Sequence, residues 1–413
     1  MADNQMKPTQ APRDLAHNTT EHRFSDAVRA AIAFVPEKLR PPTMIFGGPK
    51  RLKRDRHKRT KVAFFRYCHY GPAFRYFVEQ VLDAEYLALP EATRRTVEQG
   101  SQHSSDYVCT PFKHMLGDYI EALEQGADVL VQFGGFCRLS YYGELHELIL
   151  RDLGYEFQML NFAMGLEQGY LGFAKECLKT VNSDIAIAHG VRQLLATASM
   201  VNKLDEVYDF YLANAGFEVQ KGSFRRAWEA FLDAMDSCTT AREISDGFNR
   251  TMEQMRSIPL AKPVQPIRIG IVGEIFTAID AHSNLDLDEK LLAMGVELHR
   301  MINLSNRMLS YNEDNMRVNV SEYLAYDAGP TSTITVAAAK KYAESGFDGI
   351  IHVKSAGCTP EIDCVAVLQR LAADYRIPIL YLTYDAQTSD TGLDTRLEAF
   401  YDMLAMKKEA KRR

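Results

Sequence analysis

Hydrophobic positions change their spacing along this chain, and the changes divide it into segments. From "KVAFFRY" onward, short apolar runs alternate with amphipathic stretches of helical spacing, an alternation that predicts parallel α/β layers. The strands predicted in this part are 61–66, 84–88, 128–133 and 156–160. We therefore predict a first α/β domain over residues 61–165.

The strand pattern stops near residue 166 and returns after residue 264. Between these points, "AWEAFLDAMDSCTTAREISDGFNRTMEQM" has apolar residues at helical spacing, which predicts a helical insert and linker over 166–264. A second α/β domain is predicted over 265–413, after the proline-containing "LAKPVQPIR". Its predicted strands are 267–272, 296–302, 348–353 and 377–383, with a final helix near 392–406.

The first 60 residues have no strand pattern and end in the basic run "KRLKRDRHKRTK". Such a segment cannot bury a core face, so we predict a flexible N-terminal arm over 1–60 that is dispensable for the fold. The alternative is a docking surface for an acidic partner or a phosphorylated ligand.

The two α/β segments resemble each other. "GADVLVQFGGFC" runs from Gly126 to Cys137, "GFDGIIHVKSAGC" runs from Gly346 to Cys358, and a predicted helix precedes each strand at the same distance. This alignment pairs Cys109 with Gly329. The predicted fold class is α/β, with two similar doubly wound parallel-sheet domains that face each other and a helical insert between them.

Composition and charge narrow the functional classes. A chain of 413 residues with 46% hydrophobic and 25% charged residues is typical of a globular protein. The net charge of −6 argues against nucleic acid as a partner, because binding a polyanion requires a basic surface. No apolar run is long enough to cross a membrane. Together with seven cysteines, an odd number without close spacing, this predicts a cytoplasmic protein with free or metal-bound thiols.

Three cysteines fall where parallel α/β folds bind ligands. Cys137 and Cys358 follow predicted strands, at the carboxyl edge of the sheet where ligands collect. Cys109 begins a helix just before Pro111, so the helix dipole is expected to lower its pKa and favour the thiolate. Converging thiolates in a reducing cell indicate an iron–sulfur cluster or zinc. Zinc is less favoured because no two cysteines have C-x2-C spacing.

The other cysteines are weaker candidates. Cys68 also follows a predicted strand and is a candidate fourth ligand. Cys177, Cys238 and Cys364 lie in helical stretches, where a cysteine is commonly a small buried hydrophobe. Polar residues near the predicted ligands could tune a cluster, bind a phosphate or simply cap helices: they are Lys113, His114, Arg138 and Glu361.

Four segments resemble the 2-hydroxyacyl-CoA dehydratase superfamily, and most of all its activase-related branch, the CoA-substrate-specific enzyme activase-related proteins. They are "GGFCRLSYYGELHELILRDLGYEFQML", "VGEIFTAIDAHSNLDLDEKLLAMGVELHRMINLS", "SAGCTPEID" and "YDAQTSDTGLDTRLEAFYDML". The resemblance covers about 61–405 and implies a [4Fe-4S] cluster with Cys109, Cys137 and Cys358 as ligands. "KSAGCTPE" and "GGFCR" keep the cysteines of the family's Pro-Phe-x-Cys-Met-Pro-Glu-like and Gly-Pro-Cys-Arg-like stretches but lose neighbouring residues. Asn284 matches a family asparagine, and an N-cap or turn role is the ordinary alternative.

The resemblance also implies a function. It indicates a low-potential redox or accessory component that receives electrons from a separate ATP-hydrolysing activator protein, and this chain has no phosphate-loop motif of its own. The alternative is a catalytic subunit that dehydrates or reduces an acyl-CoA or another small substrate at an open iron site. Either could work as a homo- or hetero-dimer, with neither nucleic acid nor membrane as a partner. The third hypothesis is a scaffold protein without a redox function, in which the cysteines are only buried.

Overall fold

Two separate β-sheets organise the described part of the chain. The computed structural model of the protein describes residues 45–46, 59–133, 139–162, 181, 186–306, 313–325, 329–385, 388 and 390–412. Within these residues the strands are β1 (Ile45–Phe46), β2 (Lys61–Phe64), β3 (Glu85–Tyr86), β4 (Val129–Phe133), β5 (Gln158–Phe162), β6 (Arg268–Gly273), β7 (Glu297–Arg300), β8 (Gly349–Ser355) and β9 (Ile379–Tyr384).

Helices connect the strands in both sheets. In the described ranges they are α1 (Gly71–Tyr76), α2 (Arg94–Gln102), α3 (Thr110–Glu124), α4 (Leu139–Asp152), α5 (Ile187–Asn214), α6 (Ser223–Asp236), α7 (Ala241–Ser257), α8 (Ile275–Ile279), α9 (Ala281–Asn284), α10 (Leu287–Ala293), α11 (Glu313–Val320), α12 (Pro330–Glu344), α13 (Thr359–Asp363), α14 (Val365–Tyr375) and α15 (Asp390–Arg412). A π-helical turn at Phe77–Val81 continues α1.

The two sheets have the same parallel topology. The strand order is β1-β5-β4-β2-β3 in the first sheet and β7-β6-β8-β9 in the second. Apart from β1, all neighbouring strands are parallel. Among the four parallel strands of each sheet, the first along the chain lies between the second and the third, and the fourth follows the third. The α/β class and every strand predicted from the hydrophobic pattern are therefore confirmed.

An aspartate has the same role in both halves. Asp128 accepts a hydrogen bond from the backbone N–H of Lys61, at 2.8 Å, and Asp348 accepts one from the backbone N–H of Arg268, at 2.9 Å. Each aspartate precedes the third strand of its sheet and binds the residue that begins the first strand. The shared Gly-x-Asp opening thus fixes the register of two neighbouring strands in each half, which supports the predicted internal repeat.

Burial explains why the central strands were readable from sequence. In β8, "GIIHVKS" has only one residue that is not fully buried. A strand covered on both faces is a near-continuous apolar run rather than an alternating one. The helices that lie between the two sheets in the sequence have a different pattern, because only one face of each helix is buried. In α6 the buried residues recur at helical spacing: they are Phe224, Ala227, Trp228, Phe231 and Met235.

The long helix α5 contacts both halves of the chain. Its Asp205 accepts a hydrogen bond from the Tyr70 hydroxyl, at 2.5 Å, and another from the backbone N–H of Ser305, at 2.8 Å. Because these partners follow β2 and β7, one carboxylate ties the two α/β segments to the helical segment. None of the helices in the described ranges has both the length and the apolar character needed to span a membrane.

The N-terminal segment contributes one element that the sequence pattern missed. The strand β1 pairs antiparallel with the edge strand β5, with Ile45 opposite Asn161 and Phe46 opposite Leu160. Edge pairing uses backbone groups and needs no alternating side-chain pattern, so a two-residue strand leaves almost no signal in the sequence. The expectation that the first 60 residues contain no strand is corrected at this position.

Candidate functional site

Both sheets have a topological switch point, the place where consecutive connections leave a parallel sheet in opposite directions. The switch points lie between β2 and β4 in the first sheet and between β6 and β8 in the second. Ligands bind outside the carboxyl ends of strands at such points. Cys68 follows β2, while Glu274 and Cys358 follow β6 and β8. The predicted ligand Cys137, which follows β4, lies outside the described residues, as do Arg138 and Cys177.

Cys109 begins the helix α3, as the sequence predicted. It is the N-cap residue, with φ −67° and ψ 154°, and Pro111 lies in the first helical turn. Its Sγ lies 2.8 Å from the hydroxyl of Tyr142 on α4. The helix is held against the loop after β2, because Asp118 accepts a hydrogen bond from the backbone N–H of Arg66, at 2.8 Å, and forms an ion pair with its guanidinium. The thiol therefore has a fixed position.

Cys358 is also an N-cap residue, at the start of α13, and its backbone N–H donates to the carbonyl of Ser355 at 3.2 Å. The preceding residue brings the two halves together. A Cβ atom placed on Gly357 would lie 3.1 Å from both the Cα and the N of Cys109. The backbone that carries Cys358 is therefore packed directly against the backbone of Cys109, although the two residues belong to different halves of the chain.

The surroundings of Cys358 disfavour its thiolate. Burial raises the pKa of the Cys358 thiol, and the negative charges of Glu274 and Glu361 and the neighbouring Cys109 raise it further. Glu274 is itself buried, which raises the pKa of its carboxyl to about 7. The sequence analysis predicted thiolates at these positions from the ends of strands and helices alone. In the structure, burial and two carboxylates instead favour the protonated thiol of Cys358.

Further contacts near these cysteines join residues of the first half to residues of the second half. Thr110 Oγ1 donates to the carbonyl of Tyr384, at 3.3 Å, and the Tyr67 hydroxyl donates to the carbonyl of Ile275, at 3.2 Å. His114, one helical turn beyond Cys109, has its Nδ1 3.3 Å from the hydroxyl of Ser283. Burial and the nearby His282 lower the pKa of His114 to about 3, so this imidazole is neutral at physiological pH.

Cys68 occupies a strained backbone position, with φ +48°. Its Sγ lies 3.1 Å from Nδ1 of His69, whose Nε2 lies 3.6 Å from Asp205. Burial lowers the pKa of His69, but the charges of Cys68 and Asp205 outweigh it and raise the value to about 9. Cys68 therefore contacts the imidazole of His69, and this imidazole is protonated at neutral pH.

Three other residues considered from sequence have structural contacts. Asn284 donates to the carbonyl of Thr277, at 3.0 Å, and accepts from the N–H of Leu287, at 3.1 Å, as a turn residue does. Lys113 Nζ lies 3.5 Å from the carbonyl of Asp106. Cys238 donates its thiol to the carbonyl of Ala234, at 3.2 Å, within the helical segment.

Sequence reasoning missed a second group of ligand-forming side chains. His352, Glu361 and Cys364 lie together behind β8, and all three are fully buried. A signal was present, since His352 is the only ionisable residue in the fully buried positions of an otherwise apolar strand. The association with Cys364 was not readable, because it depends on how α13 packs against the sheet.

Comparison with known proteins gives no assignment: no family model matches the chain, and no curated protein matches it either. The functional reading therefore depends on the quoted segments and on the geometry described above.

Proposed function

We propose that this chain is an iron–sulfur protein that binds a [4Fe-4S] cluster in a cleft between its two α/β domains, with Cys109, Cys137 and Cys358 as ligands. Its role is that of a low-potential redox or accessory component related to the 2-hydroxyacyl-CoA dehydratases. The observation that carries the proposal is the contact between Gly357 and the backbone of Cys109, which brings together two cysteines from different halves.

The facing arrangement of the two domains belongs to the same proposal. It is supported by the hydrogen bonds of Thr110 with Tyr384 and of Tyr67 with Ile275, each of which joins a strand end, loop or helix start of one half to one of the other. If the carboxyl edges of the two sheets meet there, the end of the central strand β4, which Cys137 follows in the sequence, belongs to the same cleft.

The surroundings of Cys358 bear on how its thiol would bind a cluster. Burial and the negative charges of Glu274 and Glu361 raise the pKa of this thiol, so free Cys358 keeps its proton. Coordination to iron displaces that proton and stabilises the thiolate. The close packing of the Cys109 and Cys358 segments fits a shared cluster, and iron binding must supply the free energy that deprotonates Cys358.

Each part of the chain has a task in this proposal. The cluster would supply one-electron chemistry, with its potential set by burial and by hydrogen bonds to sulfur. Tyr142 is placed to donate to Cys109 Sγ, at 2.8 Å, and the N–H groups that begin α3 stabilise negative charge on the same sulfur. The packed contact at Gly357 excludes water between the two ligand segments.

One observation favours the alternative function, a catalytic subunit with an open iron. Cys68, the candidate fourth ligand, is engaged with His69 at 3.1 Å. A pocket with a mostly apolar lining, which includes Gly273, Ile275 and Met301, lies at the end of β6. If iron keeps an open position, we expect the apolar part of a small substrate to bind on this side of the site.

The experiment that tests the proposal is replacement of each ligand by alanine in protein purified without oxygen. Cys109→Ala, Cys137→Ala and Cys358→Ala should each lose most of the bound iron, because a cluster held between domains needs every ligand. Cys238→Ala is the matched control and should keep its iron, since that thiol donates to the carbonyl of Ala234 in α6. Cys68→Ala separates the two functions: loss of iron makes it the fourth ligand, and unchanged iron leaves one position open.

A full iron content in Cys358→Ala, in protein that is as folded as the parent, would contradict the proposed ligation.

A further inference from the structure

A second group of donor atoms lies behind β8, on a part of the fold that the proposed cluster does not use. His352 extends from the middle of that strand, Glu361 from the helix α13, and Cys364 from the junction of α13 and α14. All three side chains are fully buried. An imidazole, a carboxylate and a thiol are the three side-chain types that bind zinc in proteins.

The distances among the donor atoms fit one metal ion. His352 Nε2 lies 2.8 Å from Glu361 Oε2, which lies 3.6 Å from Cys364 Sγ, and this sulfur lies 4.0 Å from His352 Nε2. A point equidistant from the three atoms lies about 2.1 Å from each, within the range of zinc bonds to nitrogen, oxygen and sulfur. A small opening of the nitrogen–oxygen pair would bring the site closer to tetrahedral geometry.

The surrounding groups orient the carboxylate. Thr335 Oγ1 lies 3.1 Å from Oε1 of Glu361 and 3.0 Å from Oε2, and it also contacts the carbonyl of Gly273 at 3.3 Å. Ligating carboxylates are commonly held by such outer hydrogen bonds, which fix the direction of the lone pairs. The hydroxyl group therefore holds Glu361 toward His352 and Cys364.

Charge favours an ion at this position. A carboxylate and a thiolate with a neutral imidazole carry two negative charges, which one divalent cation neutralises in a fully buried site. Without a metal, the buried carboxylate depends on its contacts with His352 and Thr335, and burial of a charge without full compensation costs several kcal/mol. Mixed nitrogen, oxygen and sulfur donors select zinc over calcium or magnesium, which prefer oxygen alone.

We propose that His352, Glu361 and Cys364 form a zinc site with three protein ligands within the second α/β half, independent of the proposed iron–sulfur cluster. On binding, zinc displaces the thiol proton of Cys364, which passes to solvent, and it takes the place of the hydrogen between His352 Nε2 and Glu361, so that the neutral imidazole carries its single proton on Nδ1. The ion connects β8 to α13, so it fixes the short helix whose N-cap residue is Cys358.

The test uses the full chain with the cluster ligands removed, so that zinc cannot occupy an empty cluster site. A Cys109→Ser, Cys137→Ser, Cys358→Ser protein is produced in zinc-supplemented medium, dialysed and analysed for metals. We expect about one zinc ion per chain, bound by the three side chains and one further ligand. Adding Cys364→Ala should remove it, whereas adding Cys238→Ala should not. Circular dichroism checks that each protein is folded.

A second measurement keeps the proposal testable if Cys364→Ala does not fold. When the triple-serine protein is produced in cobalt-supplemented medium, its absorption spectrum should show a thiolate-to-cobalt charge-transfer band, because Cys364 is the proposed thiolate ligand. A folded triple-serine protein that holds neither zinc nor cobalt would overturn the proposal and leave a hydrogen-bonded core cluster. Zinc that survives Cys364→Ala in folded protein would overturn it as well. Neither result depends on whether the iron–sulfur cluster exists.

Discussion

The third strands of the two sheets occupy the same place in the same topology, yet their buried polar positions differ. In the alignment that pairs Asp128 with Asp348, Gln132 of β4 corresponds to His352 of β8. The amide of Gln132 accepts a hydrogen bond from the Tyr119 hydroxyl at 2.8 Å. The imidazole of His352 instead faces the carboxylate of Glu361 at 2.8 Å.

This difference shows how a repeated scaffold separates structure from chemistry. Both halves keep the aspartate that fixes the register of the first and third strands, and both bury a polar side chain in the third strand. The first half satisfies that side chain with a neutral tyrosine, at little electrostatic cost. The second half places ionisable and ligand-forming groups there, which is costly unless another charge compensates them.

The crossover helices differ in the same way at their first position. Cys109 is the N-cap of α3 with an ordinary φ of −67°, while Gly329 is the N-cap of α12 with φ +94°. A side chain is therefore accommodated at this position in the first half and disfavoured in the second. Only one of the two equivalent helix starts can present a ligand.

The largest expected effect comes from the third-strand position. His352→Leu should destabilise the protein by about 3–5 kcal/mol, because it leaves the fully buried carboxylate of Glu361 without its partner. Gln132→Leu should cost about 1 kcal/mol, since the Tyr119 hydroxyl keeps its bond to the carbonyl of Val131. Urea-unfolding midpoints of the two variants measure the difference, and equal losses would show that the two positions are equivalent.

A smaller effect is expected at the helix starts. Gly329→Ala should cost about 1–3 kcal/mol, because its φ and ψ fall in a region that is essentially restricted to glycine. Space is not the reason, since an added Cβ would meet nothing closer than Pro360 at 3.8 Å. Cys109→Ala in metal-free protein is the control and should change the unfolding free energy by less than about 1 kcal/mol. An unchanged unfolding free energy in Gly329→Ala would argue against the strained backbone geometry at this position.

The smallest effect concerns pH. His114 of α3 corresponds to Ile334 of α12, and burial with the nearby His282 lowers its pKa to about 3. Below the unfolded value near 6.5, only the unfolded chain takes up this proton, so stability falls as the pH falls toward 3. His114→Leu should therefore reduce the acid sensitivity by about 1 kcal/mol at pH 5.5. Parallel loss of stability in both proteins from pH 7 to 5 would contradict the shift.

The sequence was sufficient for elements whose side chains carry a strong pattern. The run "GIIHV" is largely apolar because β8 is covered on both faces, and Asp348 ahead of it marks the start of the strand. The helix start at Cys109 was readable because Pro111 fits the first turn and cannot extend a preceding helix. Such features depend on neighbouring residues, which is why they could be predicted.

Features that depend on packing between distant segments could not be predicted. The contact of Gly357 with Cys109 joins two loops from different halves, and no local pattern encodes it. The raised pKa of Cys358 depends on burial by packed segments and on Glu274, which follows another strand. Ile45 and Phe46 pair through backbone groups alone. In each case the deciding interaction is absent from the neighbouring sequence.

The most direct test of the central claim is the iron and acid-labile sulfide content of the full chain after anaerobic purification, with the electron paramagnetic resonance spectrum of the reduced protein. The proposed function predicts about four iron and four sulfide per chain and the signal of a reduced [4Fe-4S] cluster, with both lost in Cys358→Ala. A folded protein that binds no iron or sulfide, even after reconstitution, would contradict the claim that Cys109 and Cys358 meet to hold a cluster.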